Sequence, residues 1–273
     1  CIAGNTEGSV ISDPAVLTVI SAASVSAGED HTLILMSDGT AWGCGSNENG
    51  QLDIGTEKMA AIPVYLMSDV SMVSVGAKIS YLLTKHGNLL KIQNNSRTNL
   101  DSEVASISAI PRTENVMVLK NNNSLWLYHP SDRIWLSDST ISFHGSCSHI
   151  LITKGNNLYA IGSNIHGQFG NGTNKDASEF ILIKENVSSA VAGIDYTLIL
   201  QNGSLYSAGY NRYGQLGNGT FQNSSSFTPV ESEVAAISGY YFHSMIIKGN
   251  GSLYGTGSNE FGQLGIGLPL DNR

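Results

Sequence analysis

Four stretches of the chain nearly repeat one another: GSNENGQLDIGT from Gly45, GSNIHGQFGNGT from Gly162, GYNRYGQLGNGT from Gly209 and GSNEFGQLGIG from Gly257. A G-x-N-x-x-G-Q-[LF] signature at this density specifies an array of like units. In such an array each unit buries its apolar face against the next. Glycine accounts for 30 of the 273 residues, and the glycines sit at repeat positions. A glycine recurring at one slot marks backbone that takes a positive φ or passes very close to a neighbour.

Between the signatures each unit reads as a short variable turn, an apolar strand, a tight turn and a returning strand. Asp38-Gly39, Asn202-Gly203 and Asn250-Gly251, with His86-Gly87 as a weaker version, stand between apolar runs. That pairing is a strong short-range hairpin signal. No segment sustains a 3.6-residue apolar period, so the chain is expected to be all β with little helix. The glycine before each variable turn serves as a ruler: Gly28, Gly76, Gly145, Gly193 and Gly239, at intervals of 48, 69, 48 and 46 residues. The long interval holds a degraded unit, Val116-Met117-Val118-Leu119, then Asn121-Asn122-Asn123, then Leu125-Trp126. The second unit also lacks the signature and has Ile92-Gln93-Asn94-Asn95 in its place. Six units of about 46–50 residues with several short strands each fit the blades of a propeller.

The recurrent G-x-x-H-[TS]-x-x-[LI], followed by G-x-L-[YW]-x-x-G-x-N-x-x-G-Q-L-G, resembles the regulator of chromosome condensation repeat. The resemblance runs over residues 21–273, strongly in units one, four, five and six and weakly in two and three. It implies a β-propeller, usually seven-bladed, with four antiparallel strands per blade. Six units then suggest a seven-bladed parent and a propeller truncated at its C-terminal side. The motif is specific for the fold and poorly specific for activity.

Residues 1–20 read differently. Cys1-Ile2-Ala3-Gly4-Asn5, Gly8-Ser9 and Pro14-Ala15-Val16-Leu17-Thr18-Val19 resemble the C-terminal strands of an incomplete immunoglobulin-like domain. A lipidated N-terminal cysteine is the rival reading of Cys1. An immunoglobulin-like module joined to a propeller points to a secreted or surface-attached multidomain protein.

The charge pattern narrows the partners. The formal net charge is −8, with no cluster of Lys or Arg. Nucleic acid needs a basic footprint, so DNA or RNA is not expected as a direct partner. No apolar run approaches the length of a membrane-spanning helix. Cys1, Cys44 and Cys147 form neither a metal spacing nor a disulfide framework. Cys44 takes the slot of Ile161, Ala208 and Thr256 and is expected to be a small buried residue; Cys147 lies in a turn.

Catalytic chemistry finds little support. His31, His149 and His243 recur at one slot, but one histidine per blade spreads them around a ring, and the structural reading is preferred. No G-x-S-x-G, H-E-x-x-H or P-loop is present. Glu48 and Glu260 share a loop slot with Ile165 and Arg212, so a carboxylate pair is not indicated. No cofactor, metal or catalytic residue is expected. The signature Asn and the Gln (Gln51, Gln168, Gln215, Gln263) are expected to hold their loop through backbone hydrogen bonds.

Positions that vary among units on exposed turns are free for recognition. The turns after the ruler glycines supply the candidates: Glu29, Asp30, Lys78, Ile79, Ile194, Asp195, Tyr240, Tyr241 and Phe242. Radially arranged blades would gather them into a ring on one face, where aromatic side chains act as anchors. The expected function is a non-enzymatic interaction propeller contacting another protein or a surface glycan. Two alternatives follow from the resemblance: guanine-nucleotide exchange on a small GTPase, which would place the protein in the cytoplasm, and inhibition of a secreted enzyme.

Overall fold

A computed structural model describes residues 2–5, 8–11 and 20–266. The described residues contain β-strands and no helix, so none is long and apolar enough to cross a membrane. Ile2–Asn5 pairs antiparallel with Gly8–Ile11 in a separate hairpin. Cys1 and the Pro14–Val19 run of the expected immunoglobulin-like end lie outside the described residues.

From residue 22 onward the chain builds six antiparallel sheets in succession, the blades of a propeller. Blade 1 shows the plan: Ala22–Ala27, His31–Met36, Ala41–Ser46 and Met59–Met67, paired in chain order. Blades 2 to 5 repeat it over residues 70–101, 104–137, 142–184 and 189–231. Blade 6, residues 234–257, has three strands among the described residues. The two degraded units therefore still complete four-stranded blades. In blade 2 the signature loop is reduced to a tight turn through Asn94 and Asn95, both at positive φ (55° and 52°). In blade 3 residues 129–132 replace it.

First strands of consecutive blades touch one another, so they line the inside of the ring and the fourth strands form its rim. The core is accordingly a set of layers between blades. One layer joins Leu33, Leu52 and Leu66 of blade 1 to Val75, Leu82 and Ile92 of blade 2. Others join Tyr81 and Leu89 to Val116 and Val118, Leu119 to Ile152, Phe169 to Ile199, and Leu216 to Ile246. Each fully buried Leu or Phe contributes about 1.5–3 kcal/mol.

The ruler glycines serve this packing. A Cβ at Gly76 would sit 2.5 Å from the Ile79 side chain and 2.9 Å from the Thr113 carbonyl oxygen. The glycine that opens each signature has a different cause: Gly209 has φ +110°, and its neighbours leave no room for a side chain.

Each signature loop is held as its sequence implies. The Asn47, Asn164, Asn211 and Asn259 Oδ1 atoms accept the backbone N–H five residues on, at 2.8–3.0 Å. The Gln51, Gln168, Gln215 and Gln263 Oε1 atoms accept the N–H two residues back, at 2.9–3.0 Å.

The recurrent histidine slot is a junction between blades. His31 Nε2 hydrogen-bonds Ser80 Oγ of the next blade (3.0 Å), and His149 Nε2 hydrogen-bonds Thr197 Oγ1 (2.9 Å). Tyr196 fills the slot in blade 5, donating to the His243 carbonyl and accepting from Ser244 Oγ. Burial holds the His149 imidazole down at about 3, with nearby His144 acting in the same direction. Burial lowers the His31 imidazole as well, so His31 and His149 are neutral braces at pH 7. Cys44 is half-buried rather than buried, because its slot lies towards the loop end of the third strand.

Candidate functional site

Strands within a blade alternate in direction. The turn joining first to second strand therefore lies at the same end of the blade as the loop joining third to fourth. One face of the propeller thus collects all the variable turns near the axis and all the signature loops around them. The opposite face carries the tight second-to-third hairpins.

On the collected face the expected turn residues do not all behave alike. Glu29, Asp30 and Lys78 are exposed, and Ile194, Asp195, Tyr240, Tyr241 and Phe242 are half-buried. Ile79 is a correction: it is 1% exposed and packed in the layer between blades 2 and 3. It occupies the slot that holds His31 and His149 in other blades, so its side chain turns inward.

Turns from distant blades meet near the axis through Arg112, from the blade 3 turn. Its Nε pairs with Glu29 of blade 1 at 2.9 Å, and its Nη1 donates to Tyr241 Oη of blade 6 at 2.7 Å. The guanidinium also lies 5.1 Å from the Tyr241 ring centroid, a cation–π arrangement. The Glu29 carboxylate holds the guanidinium still more firmly protonated. Burial raises the Tyr240 phenol, and Glu29 adds to the shift. Cys147 is an exposed thiol in the same neighbourhood, raised by partial burial and then by Asp195.

Outward from this hub runs a ridge of aromatic rings. Tyr241 contacts Phe242 at 4.3 Å between centroids, and Phe242 stacks on Tyr213 at 4.9 Å. Tyr210 lies 5.8 Å from Phe242, and His166 lies 4.9 Å from Tyr210. The ridge thus draws on the signature loops of blades 4 and 5 and the turn of blade 6. Sequence reasoning found only its inner end. Tyr210, Tyr213 and His166 occupy variable positions inside the signature, and that variability was the available signal. Arg112 falls in the degraded unit, where no ruler glycine marks the turn.

Among the described residues no three His, Cys, Asp or Glu side chains are grouped to hold a metal.

The comparisons with known proteins agree with this architecture. Residues 22–51 and 234–263 match one model of the Regulator of chromosome condensation (RCC1) repeat, and residues 38–83 and 202–247 match another. The chain therefore carries RCC1 repeats. Human WBSCR16 superposes with a TM-score of 0.77 at 18% identity, covering 91% of this chain and 80% of that one. Yeast RCC1 (Prp20), solved bound to Kap60, gives 0.77 at 17% identity over 90% and 72%. The ectodomain of the Arabidopsis thaliana receptor kinase ACR4 gives 0.59 at 11% identity over 87% and 80%. These likenesses establish the fold. No protein of curated function matches the sequence.

Proposed function

We propose that this propeller is a non-enzymatic protein-binding module that engages its partner through the face carrying the variable turns. The observation that carries the reading is the aromatic ridge from His166 to Tyr241, anchored at the hub by Arg112. Aromatic rings and arginine are the side chains that dominate binding hot spots. A ridge assembled from three blades on an exposed face has no role in closing a single blade. Yeast Prp20, which shares the fold, has been characterised for binding to Gsp1p and histones, and the same protein has been solved with Kap60. A protein partner is therefore favoured over a surface glycan.

The setting is part of the proposal: a secreted or surface-attached multidomain protein, with an immunoglobulin-like module before the propeller. The hairpin Ile2–Asn5 and Gly8–Ile11 is consistent with the end of such a module. A seven-bladed parent would cover Val25 and Leu253, apolar side chains exposed on the outward faces of blades 1 and 6.

The test pairs binding with melting. In the double variant Tyr240→Ala/Tyr241→Ala, affinity for a partner recovered by pull-down should fall by about 2 kcal/mol or more. The melting curve should stay close to that of the parent. Equal losses of stability and binding would make the turns structural and end the reading.

A further inference from the structure

The signature loop does more than decorate its face. In blade 1 it folds Leu52, 0% exposed, onto the paired residues Leu33 and Gly43. Gly43 is small because the Leu52 side chain lies on it: a Cβ there would stand 2.6 Å from Leu52 Cδ2. Blades 4, 5 and 6 repeat the arrangement with Phe169, Leu216 and Leu264 and the small partners Ala160, Ser207 and Gly255. Blade 1 adds one contact: Asp53, the residue after the plug, accepts from Arg97 Nε of blade 2 at 2.7 Å.

Blade 2 has lost its loop and with it the plug. The register that pairs Leu33 with Gly43 pairs Tyr81 with Lys91: the larger Tyr81 is itself 2% exposed and donates its hydroxyl to the Glu114 carbonyl, while Lys91 is only half-buried. A cleft of about 400 Å³ remains between blades 2 and 3, opening on the face of the variable turns. Tyr81, Lys91, Glu114, Tyr128, Asp132 and Arg133 line it. Its volume falls in the range of ligand pockets.

The charges of the cleft follow the same template. Arg133 pairs with Tyr128 in blade 3 at the register where Arg97 pairs with Ile92 in blade 2. It therefore stands where a carboxylate following the plug would reach. Its guanidinium stacks 4.6 Å from the Tyr128 centroid and remains half-exposed, with Asp101 at 3.8 Å. Lys91 makes no ion pair among the described residues. Of the acids in the cleft, Glu114 accepts from Gln93 Nε2 (3.1 Å), and Asp132 accepts the Arg133 backbone N–H (2.7 Å).

We infer that this cleft receives, from a protein partner, a segment in which an apolar residue is followed by an acidic one. The apolar side chain packs in the cleft against Leu100 and the Lys91 stem, beside the place a plug would fill, and the carboxylate pairs with Arg133. The chain's own Leu52-Asp53 is the intramolecular example of that recognition. The inference rests on the collected face being a protein-binding surface, and it adds a second, chemically distinct contact to the aromatic ridge.

The probe is the acetylated and amidated peptide SNENGQLDI, residues 46–54 of this chain, titrated into the isotopically labelled full chain and followed by amide chemical shifts. Saturable shifts are expected at residues 79–81 and 128–133. Replacing the peptide Leu by Ala should weaken binding about tenfold, the scale of a buried leucine side chain. Replacing Arg133 by Gln should weaken it about threefold, as for a half-exposed ion pair, with the remaining spectrum unchanged. No shift at these residues at millimolar peptide, or equal shifts from the Leu and Ala peptides, would overturn the inference. The Tyr240→Ala/Tyr241→Ala variant should bind the peptide as the parent does. An empty cleft beside an intact partner isotherm refutes only the cleft, whereas peptide binding without any effect of the tyrosines on the partner refutes only the ridge.

Discussion

Removing one amide side chain from a signature loop should cost more stability than removing two tyrosines from the face. Asn211 is 0% exposed, and its Oδ1 accepts the Leu216 N–H at 2.9 Å. Its Nδ2 donates to the carbonyls of Thr220 (2.9 Å) and Gln222 (3.1 Å). In Asn211→Ala the Leu216 N–H stays buried beside a plug that is 1% exposed, so water does not replace the lost acceptor. An unsatisfied buried donor costs about 1–3 kcal/mol. Thr220 and Gln222 are exposed and can turn to water, so losing those bonds adds only about 1 kcal/mol. The sum, about 2–4 kcal/mol, corresponds to a drop of about 4–16 °C in the midpoint for a domain of this size. Differential scanning calorimetry of the variant reads it directly. The neighbouring exposed residue gives the control: Arg212→Ala should stay within about 0.5 kcal/mol of the parent. A loss below about 0.5 kcal/mol in Asn211→Ala, or an equal loss in Arg212→Ala, would refute the account of the loop.

Two further outcomes follow from the same geometry. His149 is held neutral at about 3 in the folded chain, against about 6.5 unfolded, so only the unfolded state takes up its proton as pH falls below 6.5. Stability should then drop by up to about 1.4 kcal/mol per pH unit from this group between pH 6.5 and 5; urea midpoints measure it, and an unchanged slope in His149→Gln would contradict the assignment. The propeller should also release no guanine nucleotide from small GTPases in a fluorescence exchange assay, and catalytic release would overturn the non-enzymatic reading.

Much of the fold was legible because it is written locally. Asn202-Gly203 sits between two strands with both residues at positive φ (53° and 74°), as a tight hairpin demands. The signature repeats because the same loop must meet the same hydrogen bonds in each blade. What sequence could not show depends on ring closure. Arg112 and Tyr241 are 129 residues apart and meet only because blades 3 and 6 both turn towards the axis. Ile79 follows a ruler glycine as a surface turn residue would, and only the strand register places it in the histidine slot. The ridge joins variable positions of three units, and no short-range pattern announces that they touch. The cleft is a deletion, visible only once the plug of the intact blades is known.

The central claim is that one face of this propeller is the recognition surface. Amide hydrogen exchange of the full chain, with and without its partner, tests it most directly. The account predicts added protection in the turns at residues 28–31, 110–115, 193–195 and 240–242 and in the loops at 164–168 and 211–215. Protection confined to the opposite-face hairpins at 37–40, 202–203 and 249–252 would contradict it.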